Sequence, residues 1–146
     1  MTVEQLNTKE TEKKLRHAGL RPTKQRLALA KIIFAQGDRH ISAEELHQEA
    51  IEADVDVSLA TIYNTLHQFT KAGLMRVIAV EGSKTWFDTN ICDHHHFFLE
   101  HENKIVDIPV HYHNRPVIDN LPQAPEGMKI SHVDLIIRLR NDENKS

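Results

Sequence analysis

Ser58-Leu59-Ala60-Thr61-Ile62-Tyr63-Asn64-Thr65-Leu66, continued through Phe69 to Gly73, is the stretch on which the fold turns. Leu59, Ile62, Leu66 and Phe69 fall three and four residues apart, which puts them on one stripe of an α-helix. The Ser58 hydroxyl can cap the first turn, and Gly73 suits the left-handed turn that ends a helix. The opposite face then presents Ala60, Thr61, Asn64 and Gln68. From Val57 to Val80 there is no acidic residue, while Lys71 and Arg76 are present. Such a face suits a helix that enters a DNA major groove, although a solvated surface helix can carry the same residues.

Outward from this helix the pattern stays helical upstream and turns to strand downstream. Thr8–Ala18 reads as a polar helix stopped by Gly19. Thr23–Gln36 reads as a second helix, capped by Thr23 after Pro22, with Leu27, Ala30, Ile33 and Phe34 inward. Ser42-Ala43-Glu44-Glu45 is a capping box opening a third helix, which runs to about Ala53 and buries Leu46 and Ala50. After Gly73, Leu74–Val80 and Thr85–Asp88 flank the turn Glu81-Gly82-Ser83-Lys84 and predict a β-hairpin. Three helices followed by a hairpin make the winged form of the helix-turn-helix. Strands are also predicted over His95–His101 and Lys104–Pro109, joined at Glu102-Asn103. Another is predicted over Lys129–Arg140, with Val133, Leu135, Ile137 and Leu139 on one face. The expected fold is α+β: a winged-helix domain over residues 1–88 and a small α/β domain over 89–146. So few strands are marginal alone, which predicts pairing with a second copy of the chain.

Charge and composition narrow the function. The 146 residues have a net charge of −3, and that total hides an asymmetry. Residues 1–80 carry eleven Lys/Arg against ten Asp/Glu, while 81–146 carry seven against eleven. Within Lys9–Arg26 there are seven basic and two acidic residues, and such local balance matters for phosphate attraction. No apolar run approaches the roughly 18–20 residues of a membrane span, and Met1–Leu6 is polar, unlike a secretory signal. A cytoplasmic protein without a membrane partner is expected. The single cysteine, Cys92, excludes an intramolecular disulfide and a four-cysteine zinc site within one chain. H-E-x-x-H, G-x-S-x-G and Gly-rich phosphate loops are all missing, so an enzyme is not expected.

Eleven histidines, against two tyrosines and one tryptophan, are the odd count. The sharpest cluster is Cys92-Asp93-His94-His95-His96. In a strand His94 and His96 share one face, roughly 6.5 Å apart at Cα, and can chelate one ion, while His95 points away. Asp88, Asp93, Glu100, His101, Asp107, His111 and His113 lie nearby. Imidazole with carboxylate suits iron, manganese or zinc without a thiolate.

Several of these segments together resemble the ferric uptake regulator family. They are Gly19-Leu20-Arg21-Pro22-Thr23-Lys24-Gln25-Arg26, His40-Ile41-Ser42-Ala43-Glu44-Glu45-Leu46, and Ser58 to Leu66, followed by Gly73-Leu74 and the Glu81-Gly82 wing. The resemblance covers about residues 12–109 and a final strand near 129–140. It implies a homodimer with a winged-helix domain, an α/β dimerisation domain and a sensing metal at the hinge between them. Carried over by residue, that metal falls on His40, Asp88, His94, His96 and Asp107, as Fe2+, Mn2+ or Zn2+. A second family site maps onto His95, His113 and His132. The family's structural zinc usually takes two C-x-x-C pairs. Here Leu99 and Glu102 stand at the first pair, so a structural four-cysteine zinc is not expected.

The missing cysteines, the His94-His95-His96 run and the short second half are similar to the iron response regulator branch, whose members sense haem. That resemblance implies a dimeric transcriptional regulator, a repressor by type, of iron homeostasis and haem biosynthesis. It would bind double-stranded DNA at a palindromic operator and release it when haem binds His94, His95 and His96. Ser58, Ala60, Thr61, Tyr63 and Asn64 would face the groove, and Arg21, Arg26 and Lys84 would meet phosphates. The competing readings are a family member using free Mn2+ or Fe2+ as corepressor, and a haem or metal carrier that never binds DNA.

Overall fold

The computed structural model describes residues 2–78, 84–91, 95–109 and 118–143. Its fold is α+β, and the chain divides into two compact units, Met1–Ile91 and Cys92–Ser146. The first unit opens with α1 (Val3–His17) and α2 (Lys24–Phe34). Strand β1 (His40–Ser42), α3 (Ala43–Glu52) and α4 (Leu59–Lys71) follow, then strands β2 (Arg76–Ile78) and β3 (Trp86–Asp88).

The predicted caps form. The hydroxyls of Thr23, Ser42 and Ser58 each accept the backbone N–H three residues on, and Glu45 completes a capping box with Ser42. Gly73 takes φ +83° after α4, a conformation that a side chain would strain. Helix α1 begins five residues before the predicted start at Thr8. Thr2 and Gln5 form a capping box of their own, with the Gln5 N–H on Thr2 Oγ1 at 3.2 Å and the Thr2 N–H on Gln5 Oε1 at 2.9 Å. That local signal lies outside any apolar period, so hydrophobic patterning does not find it.

Ala30, Ile33, Leu46, Ala50, Ile62, Leu66 and Phe69 close one core with Leu15, Leu29, Ile41, Met75 and Phe87. Leu27 and Phe34 pack on its edge. Leu59 departs from the predicted stripe and stays 36% exposed. It is the first residue after the Ser58 cap, at the open end of α4, and the buried stripe starts three residues later with Ile62.

Strands β1, β3 and β2 form an antiparallel sheet in that order. The predicted hairpin is present as β2 and β3, which pair Arg76 with Asp88 and Ile78 with Trp86. Most of its turn, residues 79–83, lies outside the described residues. Strand β1 is too short to show a period and was not predicted. It pairs His40 with Asp88 and Ser42 with Trp86.

The second unit holds β4 (His96–Leu99), β5 (Lys104–Asp107) and β6 (Ile136–Leu139) in the sheet order β5-β4-β6. The β4–β5 pair is antiparallel and turns through Asn103 at φ +50°. Strand β6 runs parallel to β4 and spans four residues, against the twelve predicted from Lys129 to Arg140. A strand is only as long as its partner ladder, and β4 offers four residues. The His96 N–H to Leu135 carbonyl and Glu100 N–H to Leu139 carbonyl bonds, 3.0 and 2.9 Å, bracket the pairing. Register puts Phe97, Val106 and Ile137 on one face, continued by Leu99 and Leu139. No helix among the described residues is long and apolar enough to cross a membrane.

Candidate functional site

Helices α3 and α4, with the short turn between them, present the surface read from sequence as nucleic-acid-facing. Ala60 and Asn64 are exposed on it. Ser58 and Thr61 serve the cap first: Ser58 Oγ accepts the Thr61 N–H at 3.1 Å and lies 3.0 Å from Thr61 Oγ1. The Tyr63 phenol donates to Glu44 Oε1 at 2.7 Å and so links α4 to the first turn of α3. This bond, followed by one from a backbone N–H and weaker help from the Lys84 ammonium and Ser42, holds the Glu44 carboxyl below the ordinary carboxylate range. The same bond pushes the Tyr63 phenol above its ordinary range.

Arg26 is half-buried. Its Nε and Nη2 reach Gln68 Oε1 at 3.3 and 3.2 Å, and Nη1 reaches the Arg21 carbonyl at 3.0 Å. It therefore ties the start of α2 to α4. Arg21 and Lys84 are exposed. Glu44 and Gln68 are the partners that the sequence reading assigned no such role. Both contacts run between helices, so no local spacing signals them.

The ligand-type residues fall into two like pairs, one in each unit. In the first unit His40 and Asp88 stand directly opposite in the β1–β3 ladder, with His40 Nε2 and Asp88 Oδ2 3.3 Å apart. Directly opposed strand residues hold their Cβ atoms only about 4.5–5.5 Å apart, which suits a chelating pair. Asp88 is 1% exposed, and its Oδ1 accepts the Asn90 N–H at 2.9 Å. Next to the pair, the Arg39 N–H donates to Thr89 Oγ1 at 2.8 Å and the Thr89 N–H to the Arg39 carbonyl at 3.0 Å. Arg39 itself meets Glu49 through two bonds of 3.0 and 2.9 Å. The pair thus stands on pinned backbone.

The second unit repeats the device. His96 and Asp107 are opposite in the β4–β5 ladder, with His96 Nε2 and Asp107 Oδ1 3.3 Å apart, and His96 is 1% exposed. His95 Nδ1 accepts the Leu135 N–H at 3.1 Å, so the neutral ring carries its proton on Nε2. His132 lies beside Asp134, Nε2 to Oδ2 3.2 Å, and Ser131 Oγ is 3.1 Å from its Nδ1. His94 and His113 lie outside the described residues, as do Cys92, Asp93 and His111.

Residues 17–138 match the ferric uptake regulator family. The peroxide-responsive repressor PerR of Staphylococcus epidermidis is 32% identical over 118 residues, covering 81% of this chain and 77% of the relative. The chain belongs to the ferric uptake regulator family. PerR of Staphylococcus aureus strain Mu50 is likewise 32% identical, over 81% of this chain and 78% of its own. Two family structures share the fold. The Pseudomonas aeruginosa ferric uptake regulator with manganese superposes with a TM-score of 0.66 at 23% identity, over 90% of this chain and 98% of that one. The Vibrio cholerae ferric uptake regulator superposes with a TM-score of 0.67 at 22% identity, over 89% and 98%. The α+β architecture of this chain is thus that of the ferric uptake regulators, a winged-helix unit followed by a small strand-rich one. By name these relatives are repressors and regulators. The iron response regulator branch read from the sequence is finer than the family membership that they establish.

Proposed function

We propose that this chain is a dimeric, DNA-binding transcriptional regulator of iron homeostasis and haem biosynthesis. Its grip on a palindromic operator is set by a divalent metal taken through His40, Asp88, His96 and Asp107, with His94 as a fifth ligand. One observation carries the reading: the same cross-strand His–Asp pair occurs in each unit, with 3.3 Å between nitrogen and oxygen both times. Each member offers one nitrogen or oxygen ligand atom and none a thiolate, which fits Fe2+, Mn2+ or Zn2+. Asp88 and His96 are eight residues apart, so the chain between them reaches at most about 29 Å. An ion taken by both pairs would tie the two units in one orientation. In a two-fold dimer, that sets the spacing of two reading helices.

The test is metal titration by calorimetry with elemental analysis, in wild type, His40→Ala and His96→Ala, together with duplex binding in each metal state. Both variants should weaken the same single ion per chain at least tenfold, and metal-dependent DNA affinity should fall with it. Two ions lost separately, or unchanged affinity in either variant, overturns the shared site.

A second reading, haem as the releasing signal, rests on the His94-His95-His96 run, since neutral imidazole is a common axial ligand of haem iron. His95 would first have to give up its Leu135 bond, because a neutral ring whose Nδ1 accepts that N–H carries its own proton on Nε2. His96 is buried against Asp107, so haem taken there would have to break the metal pair. A Soret titration with and without saturating Mn2+ separates the two. Mutual weakening by one factor means competition through His94 or His96, and independence means His95. A Soret spectrum that survives loss of all three histidines removes the haem reading.

A further inference from the structure

Glu44 has no part in any function read so far, yet its carboxylate sits beside the one aromatic side chain on the expected DNA face. It is an exposed residue in the first turn of α3, and its Oε1 takes the Tyr63 hydroxyl at 2.7 Å. A phenol has a single hydrogen to donate, and its oxygen keeps lone pairs that accept. A separation of 2.7 Å falls in the short range of charge-assisted O–H···O⁻ bonds.

We propose that Glu44 is a specificity-determining positioning residue: by taking the Tyr63 hydrogen it makes the Tyr63 oxygen an acceptor only, so that Tyr63 reads an amino group on a base edge. The inference rests on the reading that α4 enters the major groove.

Two observations hold the hydrogen where the argument needs it. Glu44 lies in the first turn of α3, where free backbone N–H groups favour a negative charge. The Lys84 ammonium adds a weaker attraction for the same carboxylate. The bond itself moves the carboxyl down and the phenol up, the directions that leave the hydrogen on the phenol.

The base preference follows from the groove. Adenine N6 and cytosine N4 are donors on the major-groove edge, whereas guanine and thymine present only acceptors on theirs. An oxygen that only accepts bonds the first two and meets the last two lone pair to lone pair. On the strand that Tyr63 reaches, one position in each half-site is therefore adenine or cytosine. Freed from Glu44, the same hydroxyl could donate as well, and the preference would flatten.

The experiment is binding-site selection from a random duplex pool, followed by competition between single-base variants of the selected site. It is run on the full-length wild type, Glu44→Ala, Glu44→Gln and Tyr63→Phe. Wild type should prefer adenine or cytosine at the Tyr63 position by roughly fivefold, the worth of one hydrogen bond. Glu44→Ala and Tyr63→Phe should lose that preference at the same position and leave the others unchanged. Glu44→Gln, whose amide oxygen can still take the phenol hydrogen, should keep most of it. A merely structural role for Glu44 would lower affinity for all sequences alike, and circular dichroism checks that each variant is folded. An unchanged preference in Glu44→Ala, loss at a different position from Tyr63→Phe, or selection of guanine or thymine overturns the proposal. Selected sites with salt-dependent affinity but no Glu44 effect sink this inference and leave DNA binding intact. No salt-dependent duplex binding by wild type sinks both.

Discussion

In the first unit Leu15, Leu29, Ile33, Leu46, Ile62, Leu66 and Phe69 are wholly buried. Among the described residues of the second, the deepest apolar side chains are Phe98, Ile105 and Ile108, still 5–8% exposed, while Val106, Ile137 and Leu139 keep 36–44%. The difference comes from element length. Helices α2, α3 and α4 each bring three or four buried side chains to a shared core, and α1 adds Leu15. Strands of four residues in a three-stranded sheet bring one or two inward side chains apiece. The second unit therefore has an apolar sheet face, Phe97, Val106 and Ile137 with Leu99 and Leu139, that suits a second copy of the chain.

The comparison breaks most visibly at the first core. Leu66→Ala should cost about 2–5 kcal/mol, read as a lower urea midpoint for the helical signal in circular dichroism. Ile105→Ala in the second unit should cost the helical signal far less, and equal losses would mean that the units do not differ as described. The next test addresses the exposed sheet face. If it pairs with a second copy, Ile137→Asp loses the burial of one large aliphatic side chain, about 1.5–3 kcal/mol, and adds a buried charge. The dimer dissociation constant from sedimentation equilibrium should rise at least tenfold. An unchanged constant would place the dimer contact elsewhere.

The smallest effect is expected at Tyr63→Phe. Loss of the phenol bond should let the Glu44 carboxyl titrate closer to its ordinary value, as followed by carboxyl carbon NMR. The sign is fixed by linkage. A carboxyl held low in the folded state adds stability above its unfolded pKa, and that stability is lost as pH falls through the folded value. Wild type and Tyr63→Phe should therefore differ at neutral pH and converge in acid. Both groups are largely in solvent, so the difference in stability is small.

Much of the first unit was legible in the chain. Thr23, Ser42 and Ser58 are caps, and the Ile62–Leu66–Phe69 stripe is a core, because both signals act within one or two helical turns. Leu59 misleads because a period says nothing of where a helix lies open. Strand β6 misleads because alternation marks what could pair, not how much partner is available. At the candidate site, His40, Asp88, His96 and Asp107 are legible as ligand types, and the hydrogen-bond framework of Arg39, Thr89 and Asn90 around one pair is not.

By itself the sequence determined the helices, the caps at Thr23, Ser42 and Ser58, the strand-rich second half and a supply of imidazole and carboxylate ligands without thiolates. These depend on residue type and on spacings of two to four, which are local. Only the tertiary structure decided which distant residues meet. Asp88 stands opposite His40 across forty-eight residues because strand β1, too short to predict, takes its register on β3. Glu44 takes the Tyr63 hydrogen and Gln68 holds Arg26 because packed helices set which side chains face each other. Such contacts are fixed by the filling of a shared core, and no run of neighbouring residues encodes them.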